Sequence, residues 1–234
     1  MRETCLPGGL TGDEMGRIDE RMVAHLKKVG RGETLFRAGD RFESLFAVWT
    51  GFFKTVITSF HGREQITGFR MGGELIGTEG IDTGRHGADA IALEDSQVCV
   101  IPFDELLVLS REVVSLQTQV HKAISHEIVT GHGVMFLLGS MYAEERVASF
   151  LLDLVHRLQA RGFSPSSVVL RMSREEIGNF LGLKLETVSR TFSKFQANGL
   201  LFVRQRQVRI TDPVGLQQVL DGEWPPTKRS DKPA

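Results

Sequence analysis

A chain of 234 residues with 41% hydrophobic and 24% charged side chains has the make-up of an ordinary folded protein with one or two cores, which excludes fibrous and wholly disordered classes. Two cysteines, Cys5 and Cys99, exclude a disulfide framework; the absence of a long apolar run or a basic-then-apolar leader points to a cytoplasmic protein with no membrane partner. A formal net charge of −1 excludes a protein that is basic throughout, yet residues 171–210 hold eight basic and three acidic side chains, a local +5 that leaves −6 for the remainder. A basic patch on an otherwise acidic chain is what a phosphate-contacting module joined to a sensor would show.

In chain order, residues 13–29 read as a helix. Short apolar stretches follow at 34–36, 45–49, 52–57, 65–69, 88–93 and 97–101, separated by turn signals at Gly39, Gly51, Gly62, Gly72-Gly73 and Gly84. Many short strands punctuated by glycine predict an antiparallel barrel or roll on which the helix packs.

Residues 112–141 predict a long helix. Val113, Val120, Ile124, Val134, Leu138 and Met141 recur at alternating steps of four and three, interrupted at Gln117, Glu127 and Gly131. Such a seam suits a partner helix, with Val120, Ile124, Gly131, Val134 and Leu138 at a homodimer interface. The less favoured alternative is one amphipathic helix lying on its own domain. His121, His126 and His132 are spaced by five and six residues and do not form the i, i+4 pair of a metal site.

The third section reads as a helix to about Leu158, a Gly/Ser/Pro-rich loop at 161–167, then helix, turn, helix and hairpin to Thr211. The predicted organisation is α+β: a β-roll sensor domain with an N-terminal helix (1–111), a dimerisation helix (112–141), a winged helix-turn-helix (142–221) and a disordered tail (222–234).

Residues 173–197 carry the most specific signals. Ser173 and Glu176 have capping-box spacing before a helix from Arg174 to Leu181 that buries Ile177, Phe180 and Leu181. Gly182 supplies the backbone freedom of a tight turn, and Gly178 leaves room for the second helix to cross. That helix runs from about Leu185 to Ala197, buries Val188, Phe192 and Phe195, and presents Glu186, Ser189 and Arg190 on one face of its N-terminal half. Arg donates twice to guanine, Glu accepts from cytosine, and Ser serves either role. Arg174 and Lys194, with Arg204 and Arg206 on the hairpin wing, are placed for phosphates of double-stranded DNA. No nucleophile–base pair or phosphate-cradling loop stands out, so no catalytic residue is assigned. A roll-fold enzyme would need metal ligands on the strands, where the reading places only His61 and His86.

The run MSREEIGNFLGLKLETVSRTFSKFQ (172–196), with AEER (143–146), VIPF (100–103), QITGF (65–69) and LFRAGD (35–40), resembles the Crp/Fnr regulators, specifically the fumarate-and-nitrate-reduction branch. The resemblance implies a cyclic-nucleotide-binding-type β-roll, a dimer helix and a winged helix-turn-helix that reads a palindrome close to TTGAT–four bases–ATCAA. It also implies an activator with a loop near 78–86 exposed to RNA polymerase. Lys184 departs from the capping Ser or Thr usual in relatives. The cyclic-AMP branch has an Arg-Ser pair where this chain has His86-Gly87. The oxygen-sensing branch holds a [4Fe–4S] cluster on four cysteines; Cys5 and Cys99 match two of them as candidate residual ligands. A cluster is expected only if further cysteines lie upstream of Met1. Oxygen-sensing relatives place an Asp at Gly131, so the expectation is dimerisation without a cluster, with gating by a nucleotide, haem or NO, or none, as the alternative.

Overall fold

The structure, a computed structural model, describes residues 11–21, 25–164 and 166–223. Cys5 and the predicted tail from 224 onward lie outside the described residues. The chain divides into two compact units between His132 and Gly133.

The first unit contains α1 (Gly12–Arg21), β1 (His25–Val29), β2 (Thr34–Phe36), β3 (Ser44–Thr50), β4 (Phe52–Thr58), β5 (Glu64–Met71), β6 (Leu75–Ile76), α2 (Gly80–Thr83), β7 (Asp89–Ala92), β8 (Ser96–Pro102), α3 (Phe103–Glu112) and most of α4 (Val114–Ser140). Two four-stranded antiparallel sheets, β1-β8-β3-β6 and β2-β7-β4-β5, form the roll. All six predicted strands are present. The apolar run in β3 reflects burial on both faces. Phe46 and Val48 join Phe53, Ala90 and Val98 in one core, while Leu45 and Ala47 join Ile18, Cys99, Ile101, Leu109 and Leu116 in another. Gly51 turns β3 into β4 at φ +96°, and a Cβ there would lie 2.0 Å from Ser96 Oγ.

Two expectations need correction. The N-terminal helix ends at Arg21 rather than continuing to Val29, because residues 25–29 pair with β8 in the register Leu26↔Cys99 and cover that strand's edge. The long helix is preceded by α3, which was not anticipated. Val113 breaks the two at φ −118°, ψ 94°.

Half of the predicted seam is used within the chain. Leu116 is fully buried, and Val120 and Ile124 line a small apolar crevice with Leu45, Leu75, Ile101 and Leu106 of their own roll. Glu127 interrupts the apolar pattern because it pairs with Arg70 of β5 at 2.5 Å. The apolar side chains that α4 exposes are others: Val114 (70%) at its start, then Ile128 (54%), Val129 (64%), Met135 (66%) and Phe136 (60%).

The second unit begins at Gly133 and contains the end of α4, α5 (Ala143–Gln159), β9 (Ser167–Val169), α6 (Arg174–Leu181), α7 (Leu185–Ala197), β10 (Leu201–Arg204), β11 (Gln207–Ile210) and α8 (Pro213–Leu220). The sheet order is β10-β11-β9. Strand β9 and helix α8 were not predicted. Asp212 caps α8 by accepting from Gly215 N at 2.9 Å, with Pro213 at the first helical position. Among the described residues no helix is long and apolar enough to cross a membrane.

The half-buried Arg70–Glu127 pair gives a first prediction. Glu127→Ala leaves the guanidinium without its partner carboxylate and should cost about 1–3 kcal/mol in urea unfolding. Joint replacement by Met at both positions should cost clearly less. A double-mutant cycle measures both.

Candidate DNA-reading surface

Local chemistry sets the helix pair. Ser173 Oγ accepts from Glu176 N at 3.1 Å, and Ser173 N donates to Glu176 Oε2 at 2.7 Å, so the predicted capping box closes. Helix α6 then buries Ile177, Gly178 and Leu181 and ends at Gly182, which sits at φ +63°. Phe180, predicted as buried, is only partly so. The reason for glycine at 178 differs from the one expected. A Cβ there would lie 2.6 Å from the carbonyl oxygen of Leu183, so the turn, not the second helix, is what approaches. Leu183 N donates to Gly178 O at 2.8 Å and locks that turn. Lys184 takes the N-cap position of α7 without a side-chain cap, as its chemistry predicts.

Val188, Thr191, Phe192 and Phe195 are buried along one side of α7, and Glu186, Ser189, Arg190 and Lys194 are exposed along the other. The three predicted base-reading residues therefore share an open face. Arg190 Nη2 lies 3.5 Å from Thr187 Oγ1, a contact that keeps the guanidinium along the helix.

Arg174 is the most informative side chain of the set. Its guanidinium lies 3.4 Å from the centroid of the Phe192 ring, and its Nη1 is buried with no hydrogen-bond partner among the described residues. Burial pushes its pKa down to about 10. A buried cationic donor without an acceptor is costly and calls for an anion. Arg174 lines a groove with Ser189, Phe192, Ser193, Gln196 and Val203, which brings the start of α6, the outer side of α7 and the wing to one place. Gln196 Oε1 accepts from Val203 N at 2.9 Å and ties the wing to α7. Arg204 and Arg206 are exposed on the hairpin, and Gln205 at its tip adopts φ +55°. Arg206 also donates from Nη1 to Arg171 O at 3.1 Å. Lys194 is more committed than its sequence position suggests, since its Nζ lies 3.0 Å from Glu144 Oε1 of α5. Nothing in the local sequence links residues 144 and 194, or 174 and 192; packing alone brings them together.

Elsewhere, His86 of the His86-Gly87 pair is drawn into the roll. It is buried, stacked on Phe36 with centroids 3.6 Å apart, edge-on to Phe42, and its Nδ1 lies 3.3 Å from Glu79 Oε1. The loop at 78–86 is therefore exposed from Asp82 to Arg85 but not at His86, which its aromatic neighbours draw inward. Cys99 is fully buried on β8. Among the described residues no three His, Cys, Asp or Glu side chains converge on a metal position. His121, His126 and His132 are exposed on α4.

Residues 145–219 match the Crp-like helix-turn-helix domain, and residues 26–112 match the cyclic nucleotide-binding domain. The chain is 43% identical over 219 residues to the transcriptional regulatory protein btr of Bordetella pertussis, covering 94% of this chain and 90% of that one. It is 45% identical to the transcriptional activator protein FnrA of Stutzerimonas stutzeri, covering 93% and 89%. This chain is a member of the Crp/Fnr family of transcription regulators. Among solved structures, FixK2 of Bradyrhizobium japonicum superposes with a TM-score of 0.77 at 30% identity, covering 84% of this chain and 97% of that one. The β-roll, long helix and C-terminal helix-turn-helix of the Crp/Fnr fold are thus all present, and the helix-turn-helix is the DNA-binding module of this regulator.

Two predictions follow from the geometry of the module. Gly178→Ala forces the Leu183 carbonyl away and should destabilise the DNA-binding unit by about 1–3 kcal/mol, read as a lower urea midpoint. The hydrogen bond from Lys194 holds the pKa of Glu144 below the usual carboxylate range. A carboxylate with a depressed folded-state pKa stabilises the fold above its unfolded pKa and loses that contribution as pH falls through the folded one. Wild type should therefore melt above Glu144→Gln at pH 7, with the gap closing as the pH falls through the depressed folded-state pKa of Glu144 in acid.

Proposed function

We propose that this Crp/Fnr regulator binds a palindrome close to TTGAT–four bases–ATCAA as a homodimer. It then activates genes that respond to oxygen or redox state. The observation that carries the reading is the joint layout of α7 and Arg174. Glu186, Ser189 and Arg190 stand on one open face beside the half-buried Arg174, whose Nη1 has no acceptor among the described residues. Base-edge readers flanked by a phosphate donor are what a major-groove helix requires. Arg174, Arg204 and Arg206 grip phosphates in this reading, and Lys194 joins them by exchanging Glu144 for phosphate.

Pairing uses a second copy of the chain through α4. Ile128, Gly131 and Met135 follow steps of three and four on one exposed face, with Val129 and Phe136 beside them. Val120 and Ile124 support that helix from the roll side, and Val134 and Leu138, both half-buried, flank the pairing face. Gly131 brings no charge to the two-fold axis, which favours a dimer that forms without a cluster. No step of the proposal passes through a cluster or other cofactor. The oxygen- or redox-linked role draws on relatives such as the fumarate and nitrate reduction regulatory protein of Escherichia coli K12, 39% identical over 217 residues. The exposed turn Asp82 to Arg85 is the surface offered to RNA polymerase.

Fluorescence anisotropy on the palindrome and on single-base variants tests the assignment. Arg190→Ala should weaken cognate binding by about 1–3 kcal/mol and flatten discrimination at one base pair of each half-site. Arg174→Ala should weaken all sequences alike and reduce the salt slope by about one per subunit. Wild-type protein that binds the palindrome no better than scrambled DNA, or that sediments as a monomer, would refute the proposal.

A further inference from the structure

Arg146 stands in the first turn of α5, half-buried, and touches none of the residues assigned to DNA. Its guanidinium donates to three backbone carbonyls drawn from two separate helix ends. Nη2 reaches Leu138 O at 2.8 Å, Nε reaches Met141 O at 2.9 Å, and Nη1 reaches Leu181 O at 2.9 Å. Leu138 lies in the last turn of α4 and Met141 directly after it; Leu181 is the last residue of α6. Carbonyls at helix C-termini have no partner within their helix, and the negative end of the helix dipole attracts a cation there. One arginine thus completes the ends of two helices at once, using the planar fork that lysine lacks.

Gly182 gives an independent sign that this joint is built closely. A Cβ at that position would lie 3.3 Å from Arg146 Nη1 and 3.3 Å from Leu138 Cδ2. The glycine that turns α6 into α7 therefore also leaves room for the arginine and for the end of α4.

The geometry points to Arg146 as a positioning residue for DNA recognition. It sets the angle at which the α6–α7 pair leaves the C-terminal end of α4, and so the half-site separation that a dimer can read. The inference rests on the homodimer proposed above. In a two-fold dimer the two α7 helices hang from paired α4 helices, and operator spacing mirrors their separation. A stiff joint penalises any other spacing; a loose joint lets each helix pair swing to meet its half-site, at the entropic cost of ordering it on binding.

The test uses the full chain and palindromes with three, four, five or six bases between half-sites, read by anisotropy with thermal melting in parallel. Wild type should favour one spacer by about tenfold or more over its neighbours. Arg146→Gln removes the fork and should narrow that preference to about two- to threefold while weakening the best site about tenfold. Arg146→Lys, which serves fewer carbonyls, should fall between. A variant that melts cooperatively and keeps the full spacer preference overturns the inference, even if it is less stable, because a merely structural role would move only the melting point. Should Arg146→Gln not fold, Arg146→Lys is judged by the same criterion. Wild type that prefers no palindrome over a single half-site overturns the dimer reading and this inference with it; retained preference in the variants overturns this inference alone.

Discussion

Burial of Val188, Phe192 and Phe195 along one side of α7 fixes how that helix is rotated, and the DNA-facing chemistry depends on that rotation. Each such side chain contributes about 1.5–3 kcal/mol on burial. Turning α7 to hide Glu186 or Arg190 instead would both forfeit that gain and strand a charge away from water. Phe192 serves twice: it anchors α7 in the core and offers its ring to Arg174. Arg174 and the exposed face with Glu186, Ser189 and Arg190 are therefore placed by one packing arrangement.

The same economy governs the roll. Strand β3 is buried on both faces, so its alternate side chains belong to two cores. One of these, with Ile18, Cys99, Leu109 and Leu116, unites α1, the roll, α3 and the first turns of α4. A rearrangement at Cys99 would be felt at the start of α4, because close-packed cores transmit displacement rather than absorb it. The Arg70–Glu127 pair continues that attachment further along the helix.

Within the first unit, His86 is buried and stacked on Phe36, with its Nδ1 3.3 Å from Glu79 Oε1. The stretch of α4 in that unit exposes Ile128 and Val129 beside Gly131, apolar surface that gains free energy when it is removed from water.

Six of the eight strands of the roll, the capping box, the turn glycine and both helices of the DNA-binding pair were legible in the sequence. Each rests on interactions within about four residues or on a simple repeat. Ser173 meets Glu176 one turn away, Gly182 adopts its own left-handed turn, and apolar spacing marks the inner face of α7. Tertiary structure decided what depends on distant partners. Residues 25–29 became a strand because β8 had an open edge, Val120 and Ile124 turned to the roll because its sheet offered an apolar crevice, and His86 was drawn inward by Phe36 and Phe42. Arg174 over Phe192, Lys194 beside Glu144 and Arg146 across two helix ends are likewise invisible in the linear text. Local pattern specifies which face of an element is apolar, whereas the fold alone determines what that face, or a lone charge, will meet.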